Sequence, residues 1–173
     1  MDNTKSHVKV YNITPQMFQD FETEFRPMEG ELLTQLVPHQ DNWGPLSWGI
    51  DLEEYDYESE AEIMHLTLET KWDSPIEWLQ SASSDTHYFH NRHITMTTIQ
   101  RDETVVTGVA VMDGDVLQNK KIWEMTSEEV GKYYNDDDLD HELDDLDNQI
   151  WDSITKFVNV CEQFYLEKEE END

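Results

Sequence analysis

Hydrophobic and polar positions alternate in short runs over the first two thirds of the chain and change to helical spacing in the last third. His7–Ile13 (HVKVYNI) is β-branched and alternating, which predicts a strand. Thr14 then stands at a helix N-cap with Pro15 in the first helical position, and Met17, Phe18, Phe21 and Phe25 fall on one face of the helix that follows. Residues 26–45 hold three prolines and two glycines and read as loop. Leu46, Trp48, Ile50 and Leu52 alternate with polar neighbours, as do Met64, Leu66, Leu68 and Thr70, predicting two strands on either side of the first acidic block, which is then a hairpin loop or strand tip. Ser74–Glu77 (SPIE) is a capping box that opens a short helix through Ile76, Trp78 and Leu79, fading near Ser83. Ile94–Gln100 and Thr104–Met112 predict a hairpin around Arg101-Asp102-Glu103, closed downstream by Asp113-Gly114-Asp115. The order is βαββαββ.

From Thr126 the pattern is helical. Thr126–Glu129 (TSEE) is a second capping box, Glu128–Tyr134 a short helix, and a long helix runs from about Asp138 to Glu167. Leu139, Leu143, Leu146, Ile150, Ile154, Phe157, Cys161 and Phe164 mark its apolar side. The expected fold class is α+β: an antiparallel sheet with helices on one face, followed by a helical acidic C-terminal extension. The expected organisation is an α+β domain over 1–125, the extension over 126–168, and a disordered acidic tail over 169–173.

Charge turns this fold into a functional question. The chain carries 40 Asp and Glu against 11 Lys and Arg, a formal net charge of −29, yet 11 % of its residues are aromatic, enough to anchor a core. Solubility alone asks for about −5 to −8 in a domain of this size, and a halophile's acids would be spread evenly. Here half of the acids lie in three blocks, 51–62, 135–148 and 167–173, and the first two hold no Lys or Arg. Clustering of this kind points to a basic partner.

The second block places eight carboxylates over fourteen residues, about one per ~2.6 Å of helix axis, against one per ~1.7 Å in duplex DNA. Asp140, Asp144 and Asp147 form one row, and Asp138, Glu142 and Asp145 flank another side. Complementing the helix dipole accounts for Asp136 to Asp140 and for little beyond them. The expected partner-binding face therefore comprises Asp136, Asp137, Asp138, Asp140, Glu142, Asp144, Asp145, Asp147 and Trp151, with Asp51, Glu53, Glu54, Asp56 and Glu58 from the first block. Trp43, Trp48, Trp72, Trp78 and Trp123 read as core anchors, whereas Trp151 lies off the apolar stripe among acids and suits an interface.

Other chemistry is less well signalled. His87, His90 and His93 recur every three residues, a spacing that can chelate zinc or nickel, but Arg92 sits among them and no thiol is near. A small ligand or metal near His87–His93 is the alternative function. Asp136, Asp138, Asp140 and Glu142 imitate a calcium loop that lacks its glycine, with His141 in that place. With so many acids, carboxylate spacing says nothing about catalysis, and no Gly-rich phosphate loop or nucleophile elbow is present. The chain is read as a non-enzyme with no cofactor. Its charge opposes direct binding to nucleic acid or an anionic membrane. The single cysteine, Cys161, set among apolar residues, reads as core in a reducing, cytoplasmic setting, and the start of the chain does not resemble a signal peptide. A homodimer through the long helix fits the pattern as well.

In the middle of the chain, Asn42-Trp43-Gly44 followed by Trp48, and then Thr70-Lys71-Trp72-Asp73-Ser74-Pro75-Ile76 opening a helix, resemble the YubB ferredoxin-like family of phage and plasmid proteins. The similarity covers roughly residues 6–112. It implies a ferredoxin-like sandwich and a mobile-element origin, and no particular activity. Together the two lines of reasoning lead to the expectation of a phage-type nucleic-acid mimic, occluding a basic host protein such as a defence nuclease, a nucleoid protein or RNA polymerase.

Overall fold

The computed structural model describes residues 3–25, 50–71, 75–85, 89–100, 105–128 and 140–171. In chain order they form β1 (Asn3–Val10), α1 (Pro15–Phe25), β2 (Ile50–Glu58), β3 (Ile63–Lys71), α2 (Ile76–Asp85), β4 (Ile94–Gln100), β5 (Val105–Met112), β6 (Asp115–Glu124) and α3 (Asp140–Glu171). The strands make one antiparallel sheet in the order β2-β3-β1-β4-β5-β6. The path through β4 is βαββαβ with β1 between β3 and β4, and the β5–β6 hairpin extends the sheet beyond β4.

Strand alternation gives the sheet two unlike faces. On one, Val8, Val10, Leu66, Leu68, Met96, Val109 and Val111 pack with Phe21 of α1 and Trp78, Leu79 and Ala82 of α2. Full burial of each large side chain here is worth about 1.5–3 kcal/mol. On the other face, Val106 and Ala110 of β5 meet Ile150, Ile154, Phe157, Val158 and Cys161 of α3. α1 and α2 therefore share one face, and the long helix, expected only as a C-terminal extension, covers the other with its apolar stripe.

Local chemistry fixes the element ends. The Met17 amide donates to Thr14 Oγ1 at 3.2 Å, the N-cap bond that the sequence predicts. Asp113 and Gly114 both take positive φ (54° and 84°), and so form a tight two-residue turn between β5 and β6. That turn is held on α2, where the Gly114 amide donates to Ser83 Oγ at 2.8 Å and Gln80 Nε2 donates to the Gly114 carbonyl at 3.2 Å.

Four expectations are corrected. β1 begins at Asn3, because the polar Thr4 and Ser6 are buried in the sheet and Ser6 Oγ shares a 2.9 Å hydrogen bond with Thr98 Oγ1. The first acidic block is largely strand: β2 runs from Ile50 to Glu58, the remainder forming the turn to β3. β6 follows the Asp113-Gly114 turn where the expected order ended; its mostly exposed side chains carry no apolar alternation to betray it. The long helix reaches Glu171, past the expected Glu167. Ser127 and Glu128 are helical, while the rest of the short helix over 128–134 lies outside the described residues, as do Trp43, Trp48 and Trp72.

Candidate functional site

The acidic strand β2 sorts its side chains by parity. Tyr55 and Tyr57 face α1: the Tyr57 ring stacks on Phe18 at 4.6 Å and its hydroxyl donates to the Ile13 carbonyl, while the Tyr55 hydroxyl donates to Glu22 at 3.1 Å. Glu54, Asp56 and Glu58 alternate with them and emerge on the opposite face, the one crossed by α3. The aromatic half of the strand anchors it, and the carboxylate half is left for solvent.

Those carboxylates form one side of a cleft of about 320 Å³. Trp151, Ile154 and Val158 of α3 form the other side, and His7, Lys9, His65, Thr67, Thr95 and Thr97 lie between them on the sheet. Trp151 is 49 % exposed, with its ring 5.2 Å from that of His7. Burial, reinforced by Lys5, holds His7 below the usual histidine range, and Glu53 and Glu54 only partly offset this.

Counter-ions absent from the neighbouring sequence arrive from the sheet: Lys5 pairs with Glu53 at 3.1 Å and Lys9 reaches Glu162 of α3 at 3.9 Å. His65 Nε2 lies within hydrogen-bond distance of Glu58, at 2.6 Å. Glu54 and Asp56 are exposed and have no ion pair among the described residues. On α3, Asp145, Asp147 and Asp152 are exposed, Asp147 one turn before Trp151. Asp140, Glu142 and Asp144 lie in its first turns, and Asp51 lies in β2 opposite Glu69. Asp136, Asp137 and Asp138 are outside the described residues.

Thus Glu54, Asp56, Glu58 and Trp151, from the two separate stretches singled out in the sequence, meet at one cleft. The residues between them were missed, although the polar members of HVKV and MHLT signalled a sheet face lined by His7, Lys9, His65 and Thr67.

The histidine series does not converge in the same way. His87 lies outside the described residues. His90 is exposed, its Nε2 3.1 Å from Asp113 in the β5–β6 turn, while His93 is buried with its ring 4.8 Å from Tyr165 of α3 and 6.4 Å from Tyr11. Tyr11 donates its hydroxyl to Glu162 at 2.8 Å, and burial followed by that bond raises its pKa. These contacts tie the second half of α3 to the sheet. Among the described residues no three His, Cys, Asp or Glu side chains stand together as a metal site. Cys161 is buried on the sheet-facing side of α3, and burial pushes its thiol up, as suits a packing residue.

No protein-family model, no curated protein and no solved structure matches the chain. Among the described residues, no helix is long and apolar enough to cross a membrane.

Proposed function

We propose that the protein is an acidic binding protein of phage type, which occupies the nucleic-acid-binding surface of a basic host protein and thereby excludes DNA or RNA. The observation carrying this reading is the pair of unneutralised carboxylates, Glu54 and Asp56, across a cleft from the half-exposed Trp151. Along a strand, carboxylates on one face recur about every 6.6–6.8 Å, so Glu54, Asp56 and Glu58 make a rigid row of negative charge. Exposed Asp145, Asp147 and Asp152 add a second set on the helix. An Arg- or Lys-lined groove meeting these groups would release counter-ions as it does on phosphates, while Trp151 supplies an aromatic anchor.

The mechanism is occlusion in the host cytoplasm and needs no catalytic step or cofactor. The βαββαβ path and the β2-β3-β1-β4 order support a ferredoxin-like reading of the first part of the chain, to which β5, β6 and α3 are additions. Such a scaffold explains the rigidity of the carboxylate row; the function rests on the site itself.

The test is competition. Immobilised protein is loaded with host lysate at low salt and eluted with duplex DNA; each eluted protein is then assayed for DNA binding with added wild type or with Glu54→Gln/Asp56→Asn/Asp147→Asn. The reading requires a DNA-binding protein that wild type strips from its duplex, with the triple variant at least about tenfold weaker, as loss of several charge contacts implies. A retained protein that binds DNA equally well with or without wild type present would refute it.

A further inference from the structure

Four strands each bring one residue to a single row along the floor of the carboxylate cleft. Glu54 of β2 stands opposite Thr67 of β3, Thr67 opposite His7 of β1, and His7 opposite Thr97 of β4. All four line the cleft, with Trp151 on its α3 side. Thr97 is 2 % exposed, yet its hydroxyl makes no hydrogen bond among the described residues. A buried hydroxyl that faces a cleft without an internal partner is left to bond whatever enters.

The charges around this row do not cancel. Lys9, on the same floor, lies 3.9 Å from Glu162, Lys5 pairs with Glu53 at 3.1 Å, and Glu58 is within hydrogen-bond distance of His65 Nε2 at 2.6 Å. Glu54 and Asp56 remain: both line the cleft, both are exposed, and neither has an ion pair among the described residues. Burial holds His7 below the usual histidine range, so near neutral pH it does not offset them.

We infer that the cleft receives an arginine side chain of the basic partner, its guanidinium held between the Glu54 and Asp56 carboxylates and the Trp151 ring. This rests on reading the β2 face as a partner surface, and it names the group that the surface recognises. Two features select a guanidinium over an ammonium. The acceptors are spread out: Glu54 and Asp56 repeat about 6.6–6.8 Å apart along β2, and Thr67 stands on the next strand, about 4.7–4.9 Å away. A planar fork of five donors reaches acceptors separated in this way, whereas the three donors of an ammonium radiate from one atom. The half-exposed Trp151 ring also offers a surface on which a guanidinium stacks. Ile154 and Val158, on the same wall, suit the methylene stem, and Thr97 supplies a further, neutral acceptor. A phosphate-bearing ligand would meet the two carboxylates with the wrong sign.

The probe is a blocked glycine-arginine-glycine peptide, titrated at low ionic strength beside the same peptide with lysine or citrulline in place of arginine. Amide and indole NMR signals are followed, the Trp151 indole being assigned by its loss in Trp151→Phe. Saturable shifts centred on that indole are expected, with a Kd of about 1–10 mM. The lysine peptide should bind at least about threefold more weakly, and the citrulline peptide not at all. Binding of the arginine peptide should fall at least about tenfold in Glu54→Gln/Asp56→Asn and about threefold in Thr97→Val. Absence of a saturable shift, equal binding of the lysine peptide, or wild-type affinity in the double variant, which alters only exposed side chains, would overturn the proposal. The measurement uses neither host protein nor DNA. Arginine capture without displacement of any duplex leaves this proposal standing while occlusion fails, and duplex displacement with an unmoved Trp151 indole does the reverse.

Discussion

The ring of Phe157 in α3 rests on the bare backbone of Gly108 in β5, so close that a Cβ at Gly108 would come within 2.7 Å of it. Glycine here is a matter of space, since its absent side chain lets the helix approach the sheet. Gly108→Ala should push the ring away and destabilise the fold by about 1–3 kcal/mol, the usual cost of overpacking. Urea denaturation of Gly108→Ala, Phe157→Leu and the double variant checks this: the two changes should be less costly together than their sum.

A second tie between α3 and the sheet is polar. Tyr11 in its buried setting donates to Glu162, and Tyr11→Phe should cost about 1–2 kcal/mol near neutral pH by leaving that carboxylate short of a donor. The folded-state pKa of Tyr11 is raised, so its contribution is complete below the unfolded tyrosine value of about 10 and is lost as pH rises above it. Urea midpoints measured from about pH 8 to pH 11 should fall less steeply in Tyr11→Phe than in wild type.

The parts legible in the sequence were those where one signal dominated. Thr14-Pro15 with the Phe18 and Phe21 stripe defined α1, and the alternation from Ile94 to Gln100 defined β4, because capping, burial and periodicity agree there. β2 was obscured because carboxylates occupy every position of its outer face, and acidity masquerades as loop when the tyrosines on the inner face are read as isolated residues. β6 was obscured because its strand character comes from hydrogen bonding to β5 and not from burial. At the site, Trp151 and the acids could be named from composition, but that Glu54, Asp56 and Glu58 share a cleft with Trp151 depends on α3 folding back over the sheet. Nothing in local spacing encodes that return.

His7 supplies an acid-side prediction. Burial first, and Lys5 next, lower its folded-state pKa, so the unfolded chain takes up the proton more readily. Its contribution is present above the unfolded value of about 6.5 and is lost as pH falls through the folded-state value. His7→Gln should therefore flatten the fall in stability between about pH 7 and pH 5. Because the His7 and Trp151 rings are 5.2 Å apart, the Trp151 contribution to fluorescence, isolated by difference against Trp151→Phe, should change as pH falls through the lowered folded-state value in wild type and not in His7→Gln.

Glu54 and Asp56 offer the sharpest separation of stability from function. Both are exposed, and neither is ion-paired among the described residues, so each adds repulsion to an already acidic molecule that no described salt bridge offsets. Glu54→Gln/Asp56→Asn should raise the melting temperature at low ionic strength. The gain should shrink as salt rises toward about 1 M, where the screening length falls to about 3 Å. The same substitutions should weaken capture of the basic partner most at low salt. A surface kept only for solubility would lose stability-neutral charge and no binding, whereas one shaped for a partner becomes more stable as it loses its partner. Calorimetry and competitive DNA displacement on the same variant, over one salt series, measure both sides of that exchange; a variant that gains stability and still displaces duplex as wild type does would show that the row of carboxylates on β2 is not the contact surface.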